Sequence, residues 1–178
     1  IEARTSESWS QYNFDKPING GPLSLTSKDF IKYRYDFLNP NNFNKYTYIK
    51  KDNQLVNSQS CYVLHFYPNE TNRKMVFDMG KKMKRSIYVG KLYIDIESFA
   101  VVKMEYQLAK NVDFGFYKHH VPLNDIVTVD YQKDESTWYL KKISRTKTRS
   151  LKTKTSLNKT LYESNQELII TDIITDSV

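Results

Sequence analysis

Cysteine is nearly absent from this chain of 178 residues: Cys61 is the only one. An internal disulfide framework and a paired-cysteine zinc site are both excluded. Glycine and proline number five each, too few for a collagen-like or linker-dominated chain. Histidine is limited to three residues. No apolar run reaches the roughly 18 residues that a membrane-spanning helix needs. The motifs of common catalytic machines are missing too. The chain has no GxSxG elbow, no HExxH helix, no Walker loop and no GxGxxG fingerprint.

What is present is a globular composition, with 39% hydrophobic and 26% charged residues. The length suits one domain over 1–178, with 1–21 as an extended N-terminal segment and 22–178 as a helix plus an antiparallel sheet. The opening residues carry neither the basic head nor the apolar stretch of a secretory signal. The first residue is not Met, so further sequence is expected before Ile1.

Tyrosine is abundant at 14 residues, which suits half-buried pleated surfaces. Most of the chain beyond residue 45 reads as strand. The runs 61–68, 73–79, 86–96, 99–108, 125–132 and 137–150 are rich in β-branched and aromatic residues. Gly90 interrupts one of them and predicts a bulge or a close backbone approach. Alternation puts Val102, Met104, Tyr106 and Leu108 on one face, and Val127, Val129 and Tyr131 on one face of the next strand. Lys133–Ser136 reads as a four-residue hairpin loop. A helix is expected over 27–38, with Ser27 as N-cap, Asp29 in its first turn, and Phe30, Ile31, Phe37 and Leu38 on one side. Asn39-Pro40 stops it. One amphipathic helix must cover its stripe with the sheet, so the expected fold is α+β and mostly β. It is a curved antiparallel sheet, an open half-barrel, with that helix on its concave face.

Five constellations bear on chemistry. Residues 141–159 hold eight cations and no acid, and 160–178 hold four acids and no base. Arg145, Lys147 and Arg149 alternate with Thr146, Thr148 and Ser150, as on a solvated or edge strand. The alternative is a polyanion-binding strip, and no motif favours nucleic acid. The basic and acidic halves are able to pair as a hairpin bent near Ser156–Lys159. His119 and His120 are adjacent, so on a strand they point apart and chelate no common metal. Cys61 and His65 share a strand face about 13 Å apart, too far for a nucleophile and its base. Asp95, Glu97, Glu105 and Asp130 read as polar sides of half-buried strands, with a carboxylate-based hydrolase as the catalytic alternative. The apolar set Met104, Tyr106, Val129, Tyr131, Trp138 and Leu140 either forms the core or lines a concave site for a hydrophobic ligand. These six are the candidate ligand-binding residues. No catalytic, metal or cofactor site is expected.

Three landmarks occur in order: SKDFIKYRYDFLN, NSQSCYVLHFYP and GKLYIDIESFAVVKMEYQL, followed by STWYLKKI. Together they resemble the domain that follows a carboxypeptidase-regulatory-like module in envelope proteins of Gram-negative gut-type bacteria. The strand pattern is similar to the lipoprotein-carrier (LolA-like) fold, an open antiparallel half-barrel with helices on its concave side. The resemblance covers roughly residues 22–145 and includes no catalytic signature. It implies a periplasmic or outer-membrane-associated protein with a non-enzymatic role. It implies a lipid, lipoprotein or glycan as partner, or another domain of the same longer chain.

Overall fold

A computed structural model describes residues 22–33, 36–69, 88–109, 124–152 and 159–172. The strand expected at 73–79, the His119–His120 pair and the bend at 156–158 lie outside these residues. The sequence's alternating runs become seven strands: β1 (Tyr46–Val56), β2 (Gln59–Pro68), β3 (Tyr88–Asp95), β4 (Val101–Leu108), β5 (Asn124–Asp134), β6 (Thr137–Lys152) and β7 (Lys159–Ile169). Each pairs antiparallel with the next, in the order β1-β2-β3-β4-β5-β6-β7, as one open sheet.

Turn chemistry sets the register. Asn57 and Ser58 both take positive φ, 49° and 65°, which matches a two-residue hairpin turn whose twist suits its strands. The β5–β6 turn is Glu135-Ser136, two residues rather than four, because pairing runs on to Asp134 and Thr137. Between β3 and β4, Asp95 holds the turn. Its carboxylate accepts from the Ser98 hydroxyl at 2.6 Å and the Ser98 amide at 2.9 Å. β4 therefore begins at Val101, with Phe99 outside it at φ 57°.

Residues 22–33 and 36–45 form a series of short helical turns, not one helix over 27–38. Pro22–Lys28, Asp36–Leu38 and Pro40–Lys45 are 3₁₀, and only Phe30–Tyr33, α1, is α-helical. Asp29, not Ser27, does the capping: its Oδ1 accepts the Lys32 amide at 3.1 Å. Asp36 has φ 49°, which no α-helix accommodates. The sheet supplies donors to carbonyls of this segment, one of which, that of Lys28, a continuous helix would use itself. Tyr106 Oη donates to the Lys28 carbonyl at 2.7 Å and Tyr48 Oη to the Phe37 carbonyl at 2.5 Å.

This segment packs on one face of the sheet. Leu25, Phe30 and Phe37 join Tyr46, Phe66, Leu92, Met104, Tyr106, Val127, Val129, Tyr131 and Ile143 in the main core. Phe37 stacks on Phe66 at 4.0 Å between centroids, and Phe30 on Tyr106 at 4.8 Å. Gly90 is a close-approach point beneath these rings. A β-carbon there would collide with the Glu105 carbonyl oxygen and lie 2.8 Å from both the Phe66 ring and Tyr106 Cα.

A second cluster, Cys61, Val63, Tyr93 and Val102, contains strand residues alone. Val102 therefore departs from the face expected for it. Tyr93 pairs with Lys103 and Ile94 with Val101, so Val102 is the extra residue of a bulge. Val101 takes its place against the main core.

Candidate functional site

The six residues first singled out lie on the covered face. Met104 and Val129 are fully buried, and Tyr106 and Tyr131 nearly so. Trp138 and Leu140 are half-buried and pack against the same core, and Trp138 also touches the second cluster of Cys61, Val63, Tyr93 and Val102. The space an acyl chain would need beside Met104 and Tyr106 is occupied by Leu25, Phe30 and Phe37. Their polar ends are committed as well. The Tyr131 hydroxyl donates to Asp29 Oδ1 at 2.5 Å, and Trp138 Nε1 donates to Ser98 Oγ at 3.2 Å. Burial pushes the Tyr106 phenol far above its ordinary range. Burial and the Asp29 carboxylate do the same to Tyr131.

The basic strand is more engaged than a solvated face would be. Arg145 faces the covered side, opposite Val127. Its Nε and Nη2 each donate to Asp125 at 2.6 Å, a bidentate pair whose side chains are only 15% and 13% exposed. That hydrogen bonding raises the guanidinium's affinity for its proton. Lys28 sits in the same field. Burial and Arg145 lower its pKa while Asp125 opposes them. The β6–β7 hairpin forms, and Lys142 pairs with Glu167 at 2.7 Å.

The other face follows from the alternate residues of the same strands. Cross-strand register aligns Ile49, His65, Lys91, Glu105, Thr128, Ser144 and Glu167 in one row. Among the described residues, no helical element packs on this side. A hollow of about 390 Å³ opens there, within the usual range of small-molecule sites. It is lined by His65, Tyr67, Val89, Gly90, Lys91, Glu105, Tyr106, Gln107 and Ile126. Tyr67 and Ile126 are both 38% exposed, an apolar pair left open to solvent.

Polar groups rim that hollow. The Tyr67 hydroxyl lies 3.2 Å from His65 Nδ1. Burial, with Lys91 and Lys51 repelling the second proton, lowers the His65 pKa. Glu105 takes Lys103 at 2.8 Å and a hydrogen bond from the Tyr93 hydroxyl at 3.1 Å, while Lys91 stands off at 3.8 Å. Burial would raise the Glu105 carboxyl, but these partners outweigh it and hold it below the usual range. Tyr93 is pushed up to about 12 by burial and by that carboxylate. Asp130 moves the other way: burial raises it against the pull of Lys103 and Lys142.

Glu105 and Asp130 thus share a face with opposite shifts, the pattern sought in an acid–base pair. Asp130, however, does not line the hollow, and Lys103 pairs with it in register and with Glu105 as an ion. The two carboxyls do not converge on one cavity. Asp95 is a turn anchor, and Glu97 is exposed beside it. Cys61 is fully buried, with its thiol pKa raised by burial and by Asp95. Among the described residues, no group of three or more His, Cys, Asp or Glu is placed to hold a metal ion.

Sequence reasoning placed Cys61 and His65 on one face but missed the hollow. Alternation along 61–68 assigns His65 and Tyr67 to a common side. Nothing in it says which side the helical segment leaves open. No protein-family model, curated protein or solved structure matches this chain.

Proposed function

We propose that this chain is a non-catalytic binding domain of a bacterial cell-envelope protein, which takes a hydrophobic or amphipathic ligand in the hollow of its open sheet face. One observation carries the reading. The helical segment fills one side of the sheet, whereas the other side keeps a hollow of about 390 Å³ with Tyr67 and Ile126 exposed and Val89 half-buried within it. Apolar walls with a few polar groups at the rim are the common make-up of a small-molecule site. The envelope assignment rests on the sequence landmarks alone.

The test is fluorescence titration with N-phenyl-1-naphthylamine, a neutral apolar probe, on the wild type and on Ile126→Arg. Saturable enhancement that Ile126→Arg removes, with an unchanged melting temperature, is the expected result. Absence of saturable binding, or binding that survives the substitution, overturns the site. In the latter case a surface elsewhere on the molecule, such as one for a protein partner, becomes the better reading.

A further inference from the structure

We infer that the hollow selects ligands with an anionic head, a carboxylate or its equivalent, and that Lys91 is the residue that receives it. The inference rests on the binding reading above and adds the sign of the ligand's charge. The geometry around Glu105 carries it. Both oxygens of that carboxylate are engaged, Oε1 by Lys103 at 2.8 Å and Oε2 by the Tyr93 hydroxyl at 3.1 Å. Lys91 is left at 3.8 Å, beyond ordinary hydrogen-bonding distance, with its side chain 44% exposed. An ammonium has three donors, and those that the distant carboxylate does not take face solvent, where a ligand head can replace water.

Lys91 lies within the lining of the hollow, beside apolar Val89 and across from Tyr67 and Ile126. His65 pairs with Lys91 in the sheet register and stands on the same rim. Lys51 adds positive charge on that face, at the register position beside Val63. Gln107, paired with Val89 on the next strand and also in the lining, contributes an amide whose N–H groups suit the same head. Net charge of +7 draws anions toward the chain as a whole. An apolar floor with a solvent-facing ammonium at its edge matches an amphiphile with a negative head. A cationic head would meet Lys91 and Lys51 instead. Whether that head belongs to a free fatty acid or to a longer acidic lipid is decided by the length of chain the hollow accepts.

The experiment is displacement of the neutral probe by three ligands of equal chain length: decanoate, 1-decanol and decyltrimethylammonium. Decanoate is expected to bind about tenfold tighter than decanol, the scale of one charge-assisted hydrogen bond at a partly exposed site. Decyltrimethylammonium is expected to bind weakest. Lys91→Met should erase the preference for decanoate over decanol, read as the ratio of the two affinities within the same variant. Glu105→Gln should strengthen decanoate binding, because it removes the competing acid. Opposite changes in these two variants are not explained by a loosened fold. Equal binding of decanoate and decanol, or a preference that survives Lys91→Met, refutes the role of Lys91 but leaves the hollow as a site. Failure of the neutral probe itself to bind removes both readings. Repeating the series with longer carboxylates separates the two sources of the head.

Discussion

Tyr131 and Asp29 stand 102 residues apart in the chain, yet the tyrosine hydroxyl donates a hydrogen bond of 2.5 Å to the buried carboxylate. Asp29 also accepts the Lys32 amide at the start of α1. One carboxylate therefore caps the short helix and fastens it to β5. Tyr131→Phe should destabilise the fold by about 1–3 kcal/mol, since the buried carboxylate loses a strong donor. A double-mutant cycle with Asp29→Asn in urea should show coupling between the two sites. Additive effects would mean that this hydrogen bond does not fasten the segment, which its apolar residues and the Tyr106 and Tyr48 bonds to its carbonyls would then hold.

Gly90 should tolerate no side chain. Its β-carbon would meet backbone at Glu105 and Tyr106 and the ring of Phe66, all held by sheet pairing or by stacking under Phe37. Gly90→Ala is expected to cost about 1–3 kcal/mol through overpacking, against the gain usual for such a change at an open site. Thermal melting measures it. A melting temperature equal to or above that of the wild type would contradict the close approach.

The Asp95–Ser98 turn makes a pH-dependent contribution. Hydrogen bonds from the Ser98 hydroxyl and amide lower the folded-state pKa of Asp95 below its ordinary value of 3.8. A carboxyl depressed on folding stabilises the native state fully above its unfolded pKa. That stabilisation is lost as pH falls through the folded one. Ser98→Ala should therefore cost stability at pH 7, and its difference from the wild type should shrink below pH ~4. Chemical denaturation across that range tests it. A gap that widens on acidification would reverse the assigned sign.

The strand runs were legible in the sequence because alternation depends only on the pleat, and the pleat has period two. Met104, Tyr106, Val127, Val129 and Tyr131 all took the face their spacing assigned. Gly90 was legible for a similar reason, since a lone glycine within a strand marks a place where something comes close. Val102 was misplaced because a bulge shifts the phase of the pattern, and its position depends on the partner strand.

The helix over 27–38 failed on the same kind of ground. Its apolar residues were read correctly as core, but Asp36 breaks the helix at φ 49° and the Lys28 carbonyl found a partner on Tyr106. Local spacing carries no information about such distant donors. Arg145 looked like one of a row of solvated cations until β5 brought Asp125 against it.

By itself, then, the sequence determined that this chain is a single-cysteine, predominantly antiparallel β protein with a covering segment ahead of its sheet. Side-chain periodicity, turn residues and composition act within a few residues of one another, so they can be read in order. Only the tertiary structure decided which face of the sheet that segment fills and which it leaves open. That choice depends on how apolar groups far apart in sequence share the work of excluding water. With Leu25, Phe30 and Phe37 over Met104 and Tyr106, four of the six residues first singled out became buried core, Trp138 and Leu140 packed half-buried against it, and the hollow beside His65, Tyr67 and Lys91 became the candidate site.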